Sequence, residues 1–177
     1  MNKRERIKTV CLYGIFICYI LLLIKMLLFS RVFSGERTIQ RSFNLIPFHS
    51  IMEYISGSSA NIKKFAFDNL VGNIVIFIPL GTYLPLFKND KRVRTNLLFI
   101  FIVSLCVEII QGIFNLGTSD IDDIVLNCLG GLIGILGYKF LLFTLRNEKK
   151  VRTVITILSI VGLFVLLYFL FIIRMRF

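Results

Sequence analysis

Five apolar runs, each near the length of a membrane span, constrain this chain more than any other feature. They cover roughly residues 9–29, 69–87, 97–115, 122–143 and 153–173. About 20 helical residues cross a hydrocarbon core about 30 Å thick, so each run is long enough to do so. The chain is 56% hydrophobic and 18% charged, with a mean hydropathy of +0.83. That leaves too little polar surface to coat five such runs in water. The expected fold is an all-α membrane protein: a bundle of about five transmembrane helices forming one domain over residues 1–177. No linker or internal repeat divides it.

The formal charge of +11 belongs to the same architecture rather than to nucleic-acid binding. The basic residues form short clusters between apolar runs, not one stripe interleaved with aromatics. Lys3, Arg4, Arg6 and Lys8 precede the first run; Lys88, Lys91, Arg92 and Arg94 separate the second and third. Arg146, Lys149, Lys150 and Arg152 separate the fourth and fifth. With five spans these clusters share one side, and the positive-inside rule makes that side the cytoplasm. The N-terminus is then expected inside and the C-terminus outside. Arg31, Arg37, Arg41, Lys63 and Lys64 in the long loop, and Arg174 and Arg176 in the C-terminal tail, are exceptions on the side assigned outside, and the dense clusters outweigh them. The first run is followed by Phe29-Ser30-Arg31-Val32-Phe33 instead of a small-residue cleavage site, so it reads as an uncleaved anchor. Cys11, Cys18, Cys106 and Cys128 lie inside apolar runs, where thiols behave as small hydrophobes.

The long outer loop carries its own signal. Phe48, Ile51, Met52 and Ile55 follow the i, i+3, i+4, i+7 pattern of an amphipathic helix. Pro47 is placed for its first turn, and Gly57-Ser58-Ser59 for its end. A short helix lying in the outer membrane interface is expected here.

Polar groups inside apolar runs are costly and need a reason. Asn69 and Asn73 are four apart; Glu108, Gln111 and Asn115 also share one helical face. Asp120, Asp122 and Asp123 form a tight acidic turn after Gly117-Thr118-Ser119, and Asn127 follows Asp123 by four. The topology drawn from Lys and Arg alone brings all these groups to the outer leaflet. Interhelical amides can serve as bundle glue, and Asp residues at a helix start answer its dipole. Alternatively the groups line an outward-facing polar pocket. Paired carboxylates can work as acid and base or hold a hard cation, but the acidic turn lacks EF-hand spacing. His49 is the only histidine, so no zinc set exists. No metal and no cofactor is expected. Gly130, Gly131, Gly134 and Gly137 read as a close-packing face of the fourth span, and Pro79 as a kink in the second.

These residues resemble the VanZ-like family of bacterial membrane proteins. The matching pieces are Asn44-Leu45-Ile46-Pro47-Phe48, Asn73-x-x-x-Phe77-Ile78-Pro79-Leu80-Gly81, Glu108-x-x-Gln111 and Asp120-Ile121-Asp122-Asp123-x-x-x-Asn127-x-x-Gly130. They define a family-like core over about 40–143. Many members carry a basic residue where this chain has Thr118. The resemblance implies a bacterial plasma-membrane location and, through the founding member's link to teicoplanin resistance, a role in the cell envelope.

The residues and the resemblance together leave two functions in view. In the first, the protein contributes to glycopeptide or lipoglycopeptide resistance, or to envelope homeostasis, by binding an amphiphilic or lipid-linked ligand. Asn44, Asn69, Asn73, Glu108, Gln111, Asp120, Asp122, Asp123 and Asn127 would line the pocket. In the second it is an intramembrane enzyme on a lipid-linked cell-wall precursor, with Glu108 as general acid or base and Asp123 as its partner. Expected partners are membrane lipids and a lipid-linked cell-wall component or lipoglycopeptide, and no nucleic acid.

Overall fold

The computed structural model describes residues 3–33, 43–44, 46–56, 60–88, 90–114, 116 and 119–175. In chain order the elements are helix α1 (Lys3–Phe33), strand β1 (Phe43–Asn44), helices α2 (His49–Ser56), α3 (Ala60–Phe87) and α4 (Val93–Phe114). Strand β2 (Ser119–Asp120) and helices α5 (Ile121–Leu145) and α6 (Glu148–Met175) follow. The five long helices cover the five apolar runs. Among the described residues, four stretches are long and apolar enough to cross a membrane: Arg6–Leu28, Ala66–Phe87, Val93–Phe114 and Ile121–Leu145.

Large apolar side chains are exposed here beside an apolar core, as a water-soluble protein would not tolerate. Phe140, Phe143 and Phe164 are 67%, 76% and 70% exposed, whereas Asn96, Ser104, Glu108 and Asn127 are buried. Lipid tails solvate the first set at no cost, while polar groups must find partners inside.

The chain divides into two compact units, one of Ile24–Tyr138 and one of Met1–Leu23 with Lys139–Phe177. In the first, α3 and α5 meet backbone to backbone. A Cβ placed on Gly130 would lie 2.0 Å from the Ile74 carbonyl oxygen, and one on Gly134 2.1 Å from that of Ile78. A Cβ on Gly81 would lie 2.0 Å from the Gly131 oxygen. Only hydrogen fits at such positions, the means by which membrane helices reach their closest approach. The expected glycine face is therefore present at Gly130, Gly131 and Gly134, while Gly137 faces open space. α3 runs through both Pro79 and Pro85. Between them the Thr82 hydroxyl donates within reach of the Ile78 oxygen (3.0 Å) and the Gly134 oxygen (3.3 Å), tying the proline-weakened segment to its own preceding turn and to α5. Ahead of α4, Asp90 Oδ1 accepts from the Arg92 N–H (2.9 Å) in an Asx turn, and the Arg92 carbonyl accepts the first helical bond, from the Asn96 N–H (3.3 Å).

In the second unit Leu12, Val151 and Ile155 are buried, and Lys8 Nζ donates to Thr153 Oγ1 (3.2 Å). Arg146 separates α5 from α6 in the left-handed region (φ 48°), and its N–H donates to the Leu142 oxygen (2.9 Å). Glycine is the residue that takes this conformation freely at a helix C-terminus. Arg146→Gly is therefore expected to raise stability by about 1 kcal/mol, read as a higher unfolding midpoint in detergent. An unchanged or lower midpoint would mean that the arginine side chain supplies more than its backbone costs.

Two features differ from the sequence-based reading. α2 begins at His49, so Pro47 stands ahead of the helix rather than within its first turn. The two-residue parallel pairing of β1 with β2, Phe43 opposite Ser119 and Asn44 opposite Asp120, was not expected. Two residues are too few for an alternating pattern to register. Gly57-Ser58-Ser59, Leu45, Asn115, Gly117 and Thr118 lie outside the described residues.

Candidate functional site

The acidic turn sits where the end of α4, the start of α5 and the 43–56 segment converge. Asp120 is the N-cap of α5: its Oδ1 accepts from the Asp122 N–H (2.9 Å), the bond that satisfies one orphan donor of a helix start. Asp122 and Asp123 follow in the first turn, where carboxylates complement the helix dipole. Glu108, one turn and a half before the end of α4, reaches this turn directly. Its Oε2 accepts the Asp120 N–H at 2.8 Å. Glu108, Asp120 and Asp122 are all buried, at 4%, 8% and 3% exposure.

The same turn grips the loop segment. Asn44 Nδ2 donates to Asp120 Oδ2 (3.0 Å), beside the β1–β2 pairing. The Phe48 N–H donates to Asp122 Oδ1 at 2.6 Å, and the Phe48 carbonyl accepts from the Met52 N–H (2.9 Å), which starts α2. Phe48 itself has φ 66°. That is costly for a bulky side chain, by on the order of 1–2 kcal/mol. Charge-assisted hydrogen bonding of its N–H is the compensation visible in the structure. The ring is 58% exposed, so packing inside the protein does not explain the conformation. Ile46, Met52 and Ile55 beside it are 65%, 59% and 64% exposed. The expected amphipathic helix is thus present and held by its N-terminus.

A third grip runs to α3. Asp123 Oδ1 accepts from both Asn73 Nδ2 (2.6 Å) and Asn69 Nδ2 (3.2 Å), so the four-residue spacing of the two amides is used on a single oxygen. Seven of the nine candidate residues, Asn44, Asn69, Asn73, Glu108, Asp120, Asp122 and Asp123, therefore gather around one turn. The hydrogen-bond donors just named are neutral amides. Among the described residues no three His, Cys, Asp or Glu side chains are grouped as a metal site requires.

The other two candidates lie apart. Gln111 Nε2 donates to the Leu27 carbonyl of α1 (2.7 Å), joining α4 to α1 instead of the acidic turn. Asn127 Nδ2 donates to Ser104 Oγ (2.9 Å) deeper between α4 and α5, where both residues are buried. Buried Gln111 Oε1 and Asn127 Oδ1 have no hydrogen-bond partner among the described residues. Sequence reasoning missed Ser104, although it stands four before Glu108 on the same face of α4. It also missed the Phe48 N–H, a backbone group that no side-chain pattern announces.

The arrangement is a set of carboxylate clasps that join the segment leading into a short amphipathic helix, the end of α4, the start of α5 and the Asn69 and Asn73 amides of α3. Comparison with known proteins meets the same residues. The model of the VanZ/LLP1 family matches residues 16–144, which include every element of the site. Protein VanZ of Enterococcus faecium is 31% identical over 128 residues, 71% of this chain and 71% of that protein. No solved structure matches. The match spans the clasp, the glycine contact and all of α3 and α4, and this chain belongs to the VanZ/LLP1 family.

Proposed function

We propose that this protein acts in the bacterial cell envelope as a non-enzymatic factor that binds an amphiphilic or lipid-linked ligand, contributing to teicoplanin-type resistance. Its N-terminus is cytoplasmic and its C-terminus outside, so the clasp and α2 face outward. The observation that carries the reading is Phe48: an exposed aromatic ring on a strained backbone, held there by a buried carboxylate. Strain of this kind persists where a surrounding network over-determines it, and it concentrates at functional positions. Ile46, Phe48, Met52 and Ile55 present an apolar surface suited to the membrane interface and to the acyl part of a ligand. The clasp residues Asn44, Asn69, Asn73, Asp120, Asp122 and Asp123 position that surface. Gln111 and Asn127 serve the helix contacts beneath it. A binding role is favoured over catalysis because Glu108 Oε2 and Asp123 Oδ1, the candidate acid–base pair, already accept hydrogen bonds that hold the fold.

The test is Phe48→Gly in a Gram-positive host, scored by teicoplanin susceptibility at matched membrane expression. Glycine relieves the backbone strain while deleting the ring, so stability should hold or rise. Deleting a Phe ring that a bound ligand covers lowers affinity by about tenfold or more, and protection should fall with it. Full protection by a well-expressed Phe48→Gly protein would remove the ring from the function and sink this reading. Glu108→Gln keeps an acceptor for the Asp120 N–H and should protect. If it is well expressed and inactive, acid–base chemistry at Glu108 becomes the better account.

A further inference from the structure

The outer half of α3 carries a surface that the clasp does not use. Asn69 and Asn73 turn to Asp123, and Ile74, Ile78 and Gly81 meet the glycines of α5. Phe67, Val71 and Val75, spaced four apart, are left 47%, 38% and 55% exposed. Together they form an apolar strip about 12 Å long. A Cβ on Gly72, beside the strip, would meet nothing within 4 Å, so that flank is open as well. At the head of the strip the Phe67 ring packs on Tyr54 of α2, with centroids 5.7 Å apart. The strip therefore continues onto the helix whose start the clasp holds. Asp68 stands next to Phe67, exposed, and two residues inside the apolar stretch that begins at Ala66. Among the described residues no hydrogen bond or ion pair reaches its carboxylate. Lys64, one turn earlier, forms no ion pair with it, and lysine ahead of an acidic residue is the weaker order for a helical pair.

We propose that this surface binds an amphiphile whose head carries a protonated amine, its acyl chain along Phe67, Val71 and Val75 and its ammonium at Asp68. The inference rests on the envelope-ligand reading above and names the charge of that ligand. In the orientation proposed there, the head of the strip lies at the outer interface, where an amphiphile passes from polar to apolar. Ordinary lipid tails cover any apolar helix face, so the strip alone selects nothing. Selection comes from the carboxylate. A charge at the edge of a hydrocarbon region is costly until a counter-charge reaches it. An ammonium tethered to a chain already lying in the strip supplies that counter-charge at high effective concentration. A phosphate or carboxylate head would be repelled from the same position.

The experiment uses the full chain in neutral detergent with hexadecylamine, hexadecanol or palmitate as probes, bound molecules being counted by native mass spectrometry. The wild type is expected to retain the amine over the alcohol by roughly three- to fivefold at low salt, the contribution of one exposed ion pair. Palmitate should be retained least. Asp68→Asn should hold amine and alcohol alike, while Asp68→Glu keeps the preference. Val75→Asn should weaken both, because it interrupts the strip and spares the carboxylate. Lys64→Gln should leave the preference unchanged or raise it. These side chains are exposed, and an unaltered melting midpoint verifies folding. Equal retention of amine and alcohol by the wild type, a preference that survives Asp68→Asn, unaltered retention by Val75→Asn, or a preference lost in Lys64→Gln would each overturn the proposal. Its failure is separable from that of the resistance reading. No amine preference, with protection abolished by Phe48→Gly, ends the charge assignment alone. Full protection by Phe48→Gly, with the amine preference intact, ends the resistance reading and leaves an amine site.

Discussion

Gly134→Leu is expected to deplete the folded protein from membranes, while Gly137→Ala, one turn further along the same helix, leaves it intact or firmer. The two glycines look alike in the sequence, but their surroundings are opposite. A Cβ on Gly134 meets three backbone atoms of α3: the Ile78 oxygen at 2.1 Å, the Thr82 nitrogen at 2.9 Å and the Gly81 carbonyl carbon at 3.0 Å. Backbone cannot rotate aside as a side chain does, so the helices must separate. Overpacking of this kind costs typically 1–3 kcal/mol, and about 3 kcal/mol or more when two backbones are driven apart. Separation also pulls the Thr82 hydroxyl from the Gly134 oxygen. At Gly137 nothing lies within 4 Å, so alanine adds only helix propensity, worth up to about 1 kcal/mol. Thermal challenge of solubilised protein followed by size-exclusion chromatography reads both. Equal heat resistance of Gly134→Leu and wild type would mean that α3 and α5 do not touch as described.

Asp122→Ala is expected to release α2 while the long helices persist. The Asp122 carboxylate holds the Phe48 N–H at 2.6 Å, and Phe48 is the residue that cannot keep φ 66° without that hold. A hydrogen bond to a charged acceptor contributes about 1.5–3 kcal/mol. Amide exchange across residues 48–56 should therefore quicken by roughly 10- to 100-fold, with little change within α4. Asp122→Asn keeps an oxygen at the same position and should give a smaller acceleration. Exchange unchanged in Asp122→Ala would mean that the segment is held by something other than this carboxylate, and the clasp would lose its central member. In the resistance assay the same variant should behave as Phe48→Gly does, but for the opposite reason: the ring is present and no longer placed.

The candidate site was largely legible because intramembrane polarity is expensive and therefore sparse. In helices made of Leu, Ile, Val and Phe, residues such as Asn69, Asn73 and Glu108 stand out individually, and helical spacing assigns them to faces. The acidic turn stood out for the same reason. The sequence pattern could not reveal the direction of each bond. Gln111 shares a face with Glu108, yet it turns to the Leu27 carbonyl, because a helical face spans a wide enough arc to touch two neighbours. The β1–β2 pairing and the Phe48 N–H were invisible, since each depends on backbone groups that every residue carries.

The sequence by itself determined the solvent and the periodicity. Runs of about 20 apolar residues commit the chain to lipid-spanning helices, and 3.6-residue spacing commits Met52 and Ile55 to one side of α2. Those properties are local and additive, so they can be summed along the chain. Only the tertiary structure decided which glycines are contacts and which are vacant, and that Asn69 and Asn73 share one oxygen of Asp123. It alone brought Tyr54 of α2 against Phe67 of α3. Each of these depends on the distance between segments far apart in the chain. Such distances are set by how closely whole helices pack, a quantity that no single stretch of sequence contains.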